Sequence, residues 1–221
     1  ANALNNSISV LLNSGGNFNN RTDFKVGDTP YCVVLGDIDN DGDLDAVTLN
    51  YWGNTISVLI NNGNGYFVKR LEYTLGWGSK SFTLGDINKD GWIDVISADY
   101  YHKHISLLLN NGHGCLGSST RYGVGKYPLN LHMADINNDG YLDLITLNKD
   151  SDTISILQND RLGNYGNKSD IKIDYGQYFQ DVSPDYAIGQ MNLFEIGDID
   201  NDGNNDIVIL NLTSKTYLNV N

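Results

Sequence analysis

The stretch Gly36-Asp-Ile-Asp-Asn-Asp-Gly-Asp-Leu-Asp45 recurs three more times without a gap. The copies are Gly85-Asp-Ile-Asn-Lys-Asp-Gly-Trp-Ile-Asp94, Ala134-Asp-Ile-Asn-Asn-Asp-Gly-Tyr-Leu-Asp143 and Gly197-Asp-Ile-Asp-Asn-Asp-Gly-Asn-Asn-Asp206. Their first aspartates, Asp37, Asp86, Asp135 and Asp198, are spaced by 49, 49 and 63 residues. Two equal periods of that length fall in the range of about 40–50 residues expected of propeller blades. The longer third interval carries 14 extra residues, assigned to an enlarged loop within Tyr175–Met191 that contains Pro184.

Outward from each acidic loop the same grammar repeats. A short β-rich run enters it, as in Tyr31–Leu35 and Ser81–Leu84, and an apolar run leaves it at Ala46–Leu49, Val95–Ala98, Leu144–Leu147 and Ile207–Leu210. A third run alternates at Thr55–Ile60, His104–Leu109 and Thr153–Leu157, and a Gly/Asn turn such as Asn61–Gly65 or Asn110–Gly114 leads to a weaker fourth. Four short strands joined by hairpins make one antiparallel sheet per repeat. Sheets of this kind packed face to face around an axis form a β-propeller. A β-solenoid is the alternative, but its rungs are usually shorter and lack this hairpin order. The expected fold is therefore all-β: a propeller-type array of about four four-stranded blades plus a partial one, over residues 1–221 as one domain.

The two ends read as part-blades. Ser7–Leu12 matches a third strand, followed by the turn Asn13–Phe18 and a fourth strand at Asp23–Val26. At the other end Leu193–Ile196, Ile207–Asn211 and Thr216–Val220 match strands one to three. Joining the ends leaves one third strand surplus, so self-association through terminal strands, or continuation into further repeats, is expected.

The composition agrees with this reading and excludes others. A formal charge of -13, from 27 acidic against 14 basic residues, opposes nucleic-acid binding and docking on anionic lipid. Glu72 and Glu195 are the only glutamates; the other 25 carboxylates are Asp, a turn-forming rather than helix-forming residue. No apolar run reaches the ~18 residues of a membrane span. Cys32 and Cys115 are too few for a disulfide framework. They are expected not to pair: Cys32 falls at the strand end remote from the acidic loop, and Cys115 on the loop side one blade along. Five extended residues span ~16 Å, whereas a disulfide needs Cα atoms within ~7 Å.

The loop pattern Asp-x-[Asp/Asn]-x-Asp-Gly-x-x-Asp suits calcium. A hard dication takes several oxygen ligands at about 2.3–2.6 Å, and alternate residues in a tight loop turn their carboxylates to one centre. The sixth-position Gly permits the sharp turn. The seventh residue (Asp43, Trp92, Tyr141 or Asn204) varies as a backbone-carbonyl ligand can, and the ninth is Asp in every copy. An EF-hand would need Glu at position twelve, where Thr48, Ser97, Thr146 and Ile209 stand, and helices on either side. The ligand positions carry 14 carboxylates; four Ca²⁺, adding eight positive charges, would bring the formal charge from -13 to -5. Calcium is thus expected to supply part of the folding free energy, and Mg²⁺ fits less well because it keeps its waters.

These loops resemble the FG-GAP/VCBS repeats of integrin α-subunit propellers and secreted microbial proteins, and a fungal lectin propeller is similar too. The resemblance covers nearly the whole chain. It implies a non-catalytic, calcium-binding, extracellular or cell-surface propeller used in recognition or adhesion. The metal ligands it implies are Asp37, Asp39, Asp41 and Asp45; Asp86, Asn88, Asp90 and Asp94; Asp135, Asn137, Asp139 and Asp143; and Asp198, Asp200, Asp202 and Asp206. Two departures stand out. Integrin-like rings resemble seven blades against about four here, and Asn205 replaces the apolar Leu44, Ile93 or Leu142 of the other loops.

In a blade, the calcium loops share a face with the Gly/Asn turns. The opposite face receives Tyr51, Trp52, Tyr100 and Tyr101 at period-equivalent positions, with Trp77 between blades. Aromatics beside amides and hydroxyls suit a sugar; packing between blades is the plainer alternative. The partner expected is a glycan or a surface protein. Histidines 102, 104, 113 and 132 lie in no catalytic motif, so no enzyme is expected. Sequons at Asn5, Asn20, Asn167 and Asn211 are candidate glycosylation sites of a secreted glycoprotein. Two other roles fit the same features: a structural subunit of a surface filament or matrix, and an accessory segment of a larger secreted enzyme.

Overall fold

The computed structural model describes residues 1–173 and 194–209. The enlarged loop expected within 175–191, the strand at 216–220 and the sequon at Asn211 lie outside the described residues. The chain begins with a hairpin of β1 (Ser7–Ser14) and β2 (Asn17–Lys25). Three complete sheets follow: β3 (Pro30–Gly36), β4 (Asp45–Asn50), β5 (Thr55–Asn61) and β6 (Phe67–Thr74); β7 (Ser79–Gly85), β8 (Asp94–Asp99), β9 (His104–Leu108) and β10 (Thr120–Gly123); β11 (Pro128–Ala134), β12 (Asp143–Asn148), β13 (Thr153–Gln158) and β14 (Asn167–Lys172). A pair, β15 (Phe194–Gly197) and β16 (Asp206–Ile209), ends the described chain. Every sheet is an antiparallel meander in sequence order.

The strand expectations hold to within a residue or two at most ends, with two differences. β2 starts at Asn17 rather than near Asp23, because Gly15 and Gly16, both at positive φ, close a tight two-residue turn. The third strand of the second repeat stops at Leu108, one residue short.

The sheets are blades of a propeller, not rungs of a solenoid. Inner strands β3, β7, β11 and β15 are successive neighbours, and β3, β7 and β11 line a central cavity of about 930 Å³. The second strands β4, β8 and β12 are buried along their whole length because a blade covers each face, whereas β6 alternates and β14 is exposed throughout. The hydrophobic core accordingly lies between blades. Val47 and Ile56 of one blade meet Phe82 and Val95 of the next, and Ile96 and Ile105 meet Leu131 and Leu144. Ile8 and Val26 seat the first hairpin against Ala46 and Leu59. Glycines 27, 76 and 125 let the connection entering each blade pass close to the end of its second strand: a Cβ there would meet Asn50, Asp99 or Asn148 within 2.7 Å.

Candidate metal centres and the opposite face

Each acidic loop joins the first strand of its sheet to the second, and all four have one geometry. The first aspartate folds the loop over itself. Asp37 Oδ1 and Oδ2 accept the N–H groups of Asp41 and Gly42, both at 3.0 Å. Asp86, Asp135 and Asp198 accept the matching pairs at 2.7–3.1 Å. The sixth-position glycines turn through positive φ, from +87° to +93°. The fourth position does so too, although Asn40, Lys89, Asn138 and Asn201 occupy it. Asn tolerates that region better than most residues, and only Lys89 departs from it.

The ninth aspartate fixes the loop to the blade. Asp45, Asp94 and Asp143 are fully buried. One oxygen of each accepts the N–H of Ile38, Ile87 or Ile136 within the loop, at 2.9–3.2 Å. The other accepts the N–H of Asn61, Asn110 or Asn159 at the end of the third strand, each at 2.8 Å. Asp206 holds Ile199 in the same way at 3.1 Å. The reading of the loops missed these asparagines, though they recur with the same 49-residue period. Two of the side chains tie neighbouring blades together: Asn110 Nδ2 donates to Ile38 O at 2.7 Å and Asn159 Nδ2 to Ile87 O at 2.8 Å, while Asn61 Nδ2 donates to Leu44 O of its own blade. Asn205, the departure noted in the fourth loop, donates to Asp135 O at 2.9 Å and so links two loops.

The residues fit a hard cation. Ligand oxygens of Asp37, Asp39 and Asp45 lie within 4.8 Å of one another, as do those of Asp198, Asp200 and Asp206. Asp39 Oδ1 is buried and accepts no hydrogen bond, an arrangement a cation would satisfy. Burial, then the charges of Asp41 and Asp37, push the Asp39 carboxyl above its usual range. Burial pushes Asp94 up to about 6 and raises Asp45 and Asp143 as well. In the second and third loops Asn88 and Asn137 offer an amide oxygen at the third position. The third loop differs further, because Arg161 Nε lies 3.3 Å from Asp139 Oδ2. Trp92 and Tyr141 project from their loops: Trp92 packs on His113 of its own Gly/Asn turn, and the Tyr141 ring receives Lys89 Nζ at 4.2 Å.

The opposite face carries the aromatics. Trp52 and Trp77 are 66% and 64% exposed and Tyr101 is also exposed, whereas Tyr51 is half-buried and Tyr100 fully buried. Tyr100 packs under Tyr101 and against Tyr127, with Lys80 Nζ 4.5 Å from its ring centre. Beside Trp77 stand two histidines. The Trp77 N–H donates to His102 Nδ1 at 3.1 Å, which leaves the hydrogen of a neutral His102 on Nε2. His104 Nδ1 lies 2.7 Å from Asp99, a fully buried carboxylate that also accepts the Ser79 and Ser97 hydroxyls. Asn50 with Thr55, and Asn148 with Thr153, hold the matching positions of the other complete blades. Of the sequons, Asn5 and Asn167 are exposed and Asn20 lies in β2. Both thiols are free.

A family model of the FG-GAP-like repeat matches residues 37–97 and 86–146. The chain carries FG-GAP-like repeats. Solved structures place these repeats in a propeller. A lectin from Agrocybe aegerita, described as recognising non-reducing terminal N-acetylglucosamine, matches with TM-score 0.55 and 21% identity, over 85% of this chain and 52% of the lectin. A streptogramin B lyase matches with TM-score 0.54 and 19% identity, over 78% and 50% of the two chains. Virginiamycin B lyase from Staphylococcus aureus matches with TM-score 0.51 and 18% identity, over 77% and 50%. At these identities the likeness is one of fold alone, and the FG-GAP chain spans about half the length of each. No curated protein matches the chain. No helix among the described residues is long and apolar enough to cross a membrane.

Proposed function

We propose that this FG-GAP chain is a non-catalytic, extracellular recognition module whose blades are held by calcium and whose opposite face binds glycan. The observation that carries the reading is the separation of the two chemistries. Acidic loops with a buried, unsatisfied oxygen at Asp39 occupy one face, and solvent-facing Trp52, Trp77 and Tyr101 occupy the other. Bound at each of the four loops, Ca²⁺ supplies positive charge at the loop centre. The residues that would hold it are the first, third, fifth and ninth of each loop, with the carbonyls of Asp43, Trp92, Tyr141 and Asn204. The chain's own part is seen best in the first and fourth loops, where N–H bonds to the first and ninth aspartates accompany ligand oxygens of positions one, three and nine within 4.8 Å of one another.

On the other face, a flat indole binds the apolar side of a sugar ring, and hydroxyls need a donor and an acceptor nearby. Trp77 supplies the platform and a neutral His102 the Nε2–H donor, with the His104 ring beside it as a further polar contact. The lectin of like fold supports this reading. The test is binding to a panel of immobilised neutral saccharides, including chains ending in N-acetylglucosamine. Binding that falls at least tenfold in Trp77→Ala supports the assignment. An intact, calcium-loaded protein that binds no saccharide overturns it.

A further inference from the structure

Building on the saccharide reading, we infer that the ligand is a linear chain of about three sugar residues, one for each exposed ring along the rim opposite the acidic loops. That rim alternates two kinds of segment: the connection entering a blade, and the turn between its second and third strands. Backbone bonds fix their order. The Gly53 N–H donates to Asp28 O at 3.2 Å, the Tyr101 N–H to Trp77 O at 3.3 Å and the Asp150 N–H to Lys126 O at 3.2 Å. Asn54 joins the first pair to the second: its Nδ2 donates to Trp52 O at 3.3 Å, and its Oδ1 accepts the Gly78 N–H at 3.0 Å. The Tyr101 ring meets Tyr127, the neighbour of Lys126. Along the rim the exposed side chains are thus Asp28, Trp52, Trp77, Tyr101, Lys126 and Asp150. Trp77 stands one 49-residue period from both Asp28 and Lys126, as Tyr101 does from both Trp52 and Asp150. The blades accept a charged residue at either kind of station, so packing does not demand the three rings.

Each ring is held before any ligand arrives. Trp52 meets Tyr51 edge-on with centroids 5.4 Å apart, and Tyr101 stands edge-on to Tyr100 at 5.0 Å. The Trp77 backbone is fixed by its N–H bond to His102 Nδ1. Platforms ordered in advance lose little entropy on binding. A single terminal sugar covers one indole and leaves two rings bare, whereas a chain lays one sugar face on each. A peptide fits less well. The N–H groups of Gly53, Gly78 and Tyr101 are bonded within the rim, so they are not offered to an extended main chain. Asp28 and Lys126 bracket the rings with opposite charges, which marks where the run of sugar contacts stops.

The test is calorimetric titration with the β-1,4-linked series of N-acetylglucosamine and of glucose, from one residue to four. Affinity for one series should rise about tenfold or more from one residue to three and then level off. Trp52→Ala and Tyr101→Ala should each remove most of that gain and leave single-residue binding unchanged, while Trp77→Ala lowers both. In the unsubstituted chain the trimer should protect tryptophan fluorescence from iodide more than the single sugar does, which needs no variant to fold. Equal affinity and equal protection for one residue and for three overturn the chain-length inference and leave the saccharide reading standing. Failure of both series to bind, or binding of a proline-rich peptide in their place, also overturns it. Only a whole saccharide panel without binding overturns the saccharide reading as well.

Discussion

At the scale of single residues, Asn110 holds two backbone carbonyls from different blades at once, Ile38 O at 2.7 Å and Ile93 O at 3.1 Å. The bond to Ile38 O is buried and that to Ile93 O part-buried, so Asn110→Ala leaves at least the first unsatisfied and should cost about 1–3 kcal/mol in urea unfolding. A loss below about 0.5 kcal/mol, the level of an ordinary surface change, would remove the asparagine series from the account. His132 gives a pH test away from the loops. It is half-buried against the Phe194 ring, with centroids 4.5 Å apart. Burial holds its pKa below the usual 6.5, against a smaller upward pull from Glu195. The folded state then binds fewer protons than the unfolded chain, so this group's effect on stability turns unfavourable as pH falls through 6.5 and deepens until the folded pKa is passed. Between about pH 7.5 and 5.5 the parent chain should lose more stability than His132→Gln. Equal losses would contradict this assignment.

At the scale of elements, the four loops share a backbone but not an electrostatic setting. Asp139 is held below the usual carboxylate range, first by the Tyr141 N–H and also by Arg161, and that guanidinium competes with any cation for the same carboxylate. The third loop should therefore be the weakest calcium site. Arg161→Gln should tighten one site in calorimetric titration and leave the others unchanged; four unaltered affinities would count against the competition. The loops and strands were legible because Asp, Gly and apolar residues recur at fixed spacing, and periodicity survives without any knowledge of contacts. Arg161 was not, because its partner lies 22 residues away across a hairpin. The Asp99–His104 pair was hidden for a different reason. It replaces Asn/Thr pairs of the flanking repeats and has meaning only once the third strand lies beside the second. Asn61, Asn110 and Asn159 did carry a signal in their period, but in so Asn-rich a chain it was read only as turn chemistry.

At the scale of the whole molecule, the core is divided among blade interfaces rather than gathered in one centre, so stability depends on how firmly each blade is held to the next. Each acidic loop bears on that directly. In the first three loops the ninth aspartate grips the third strand, Asn110 and Asn159 gripped there bond the preceding loop, and Asn138 reaches across to Asn204 at 2.7 Å. A cation that organises the loops would hence stiffen the whole array, and its removal would return clustered carboxylates to mutual repulsion. The direct test is thermal unfolding of protein stripped by excess chelator and then titrated with Ca²⁺, with metal content followed by elemental analysis. The account predicts a melting temperature lowered by several degrees or more in chelator and restored as about four equivalents bind. Superimposable melting curves with and without Ca²⁺, with no metal retained, would contradict it.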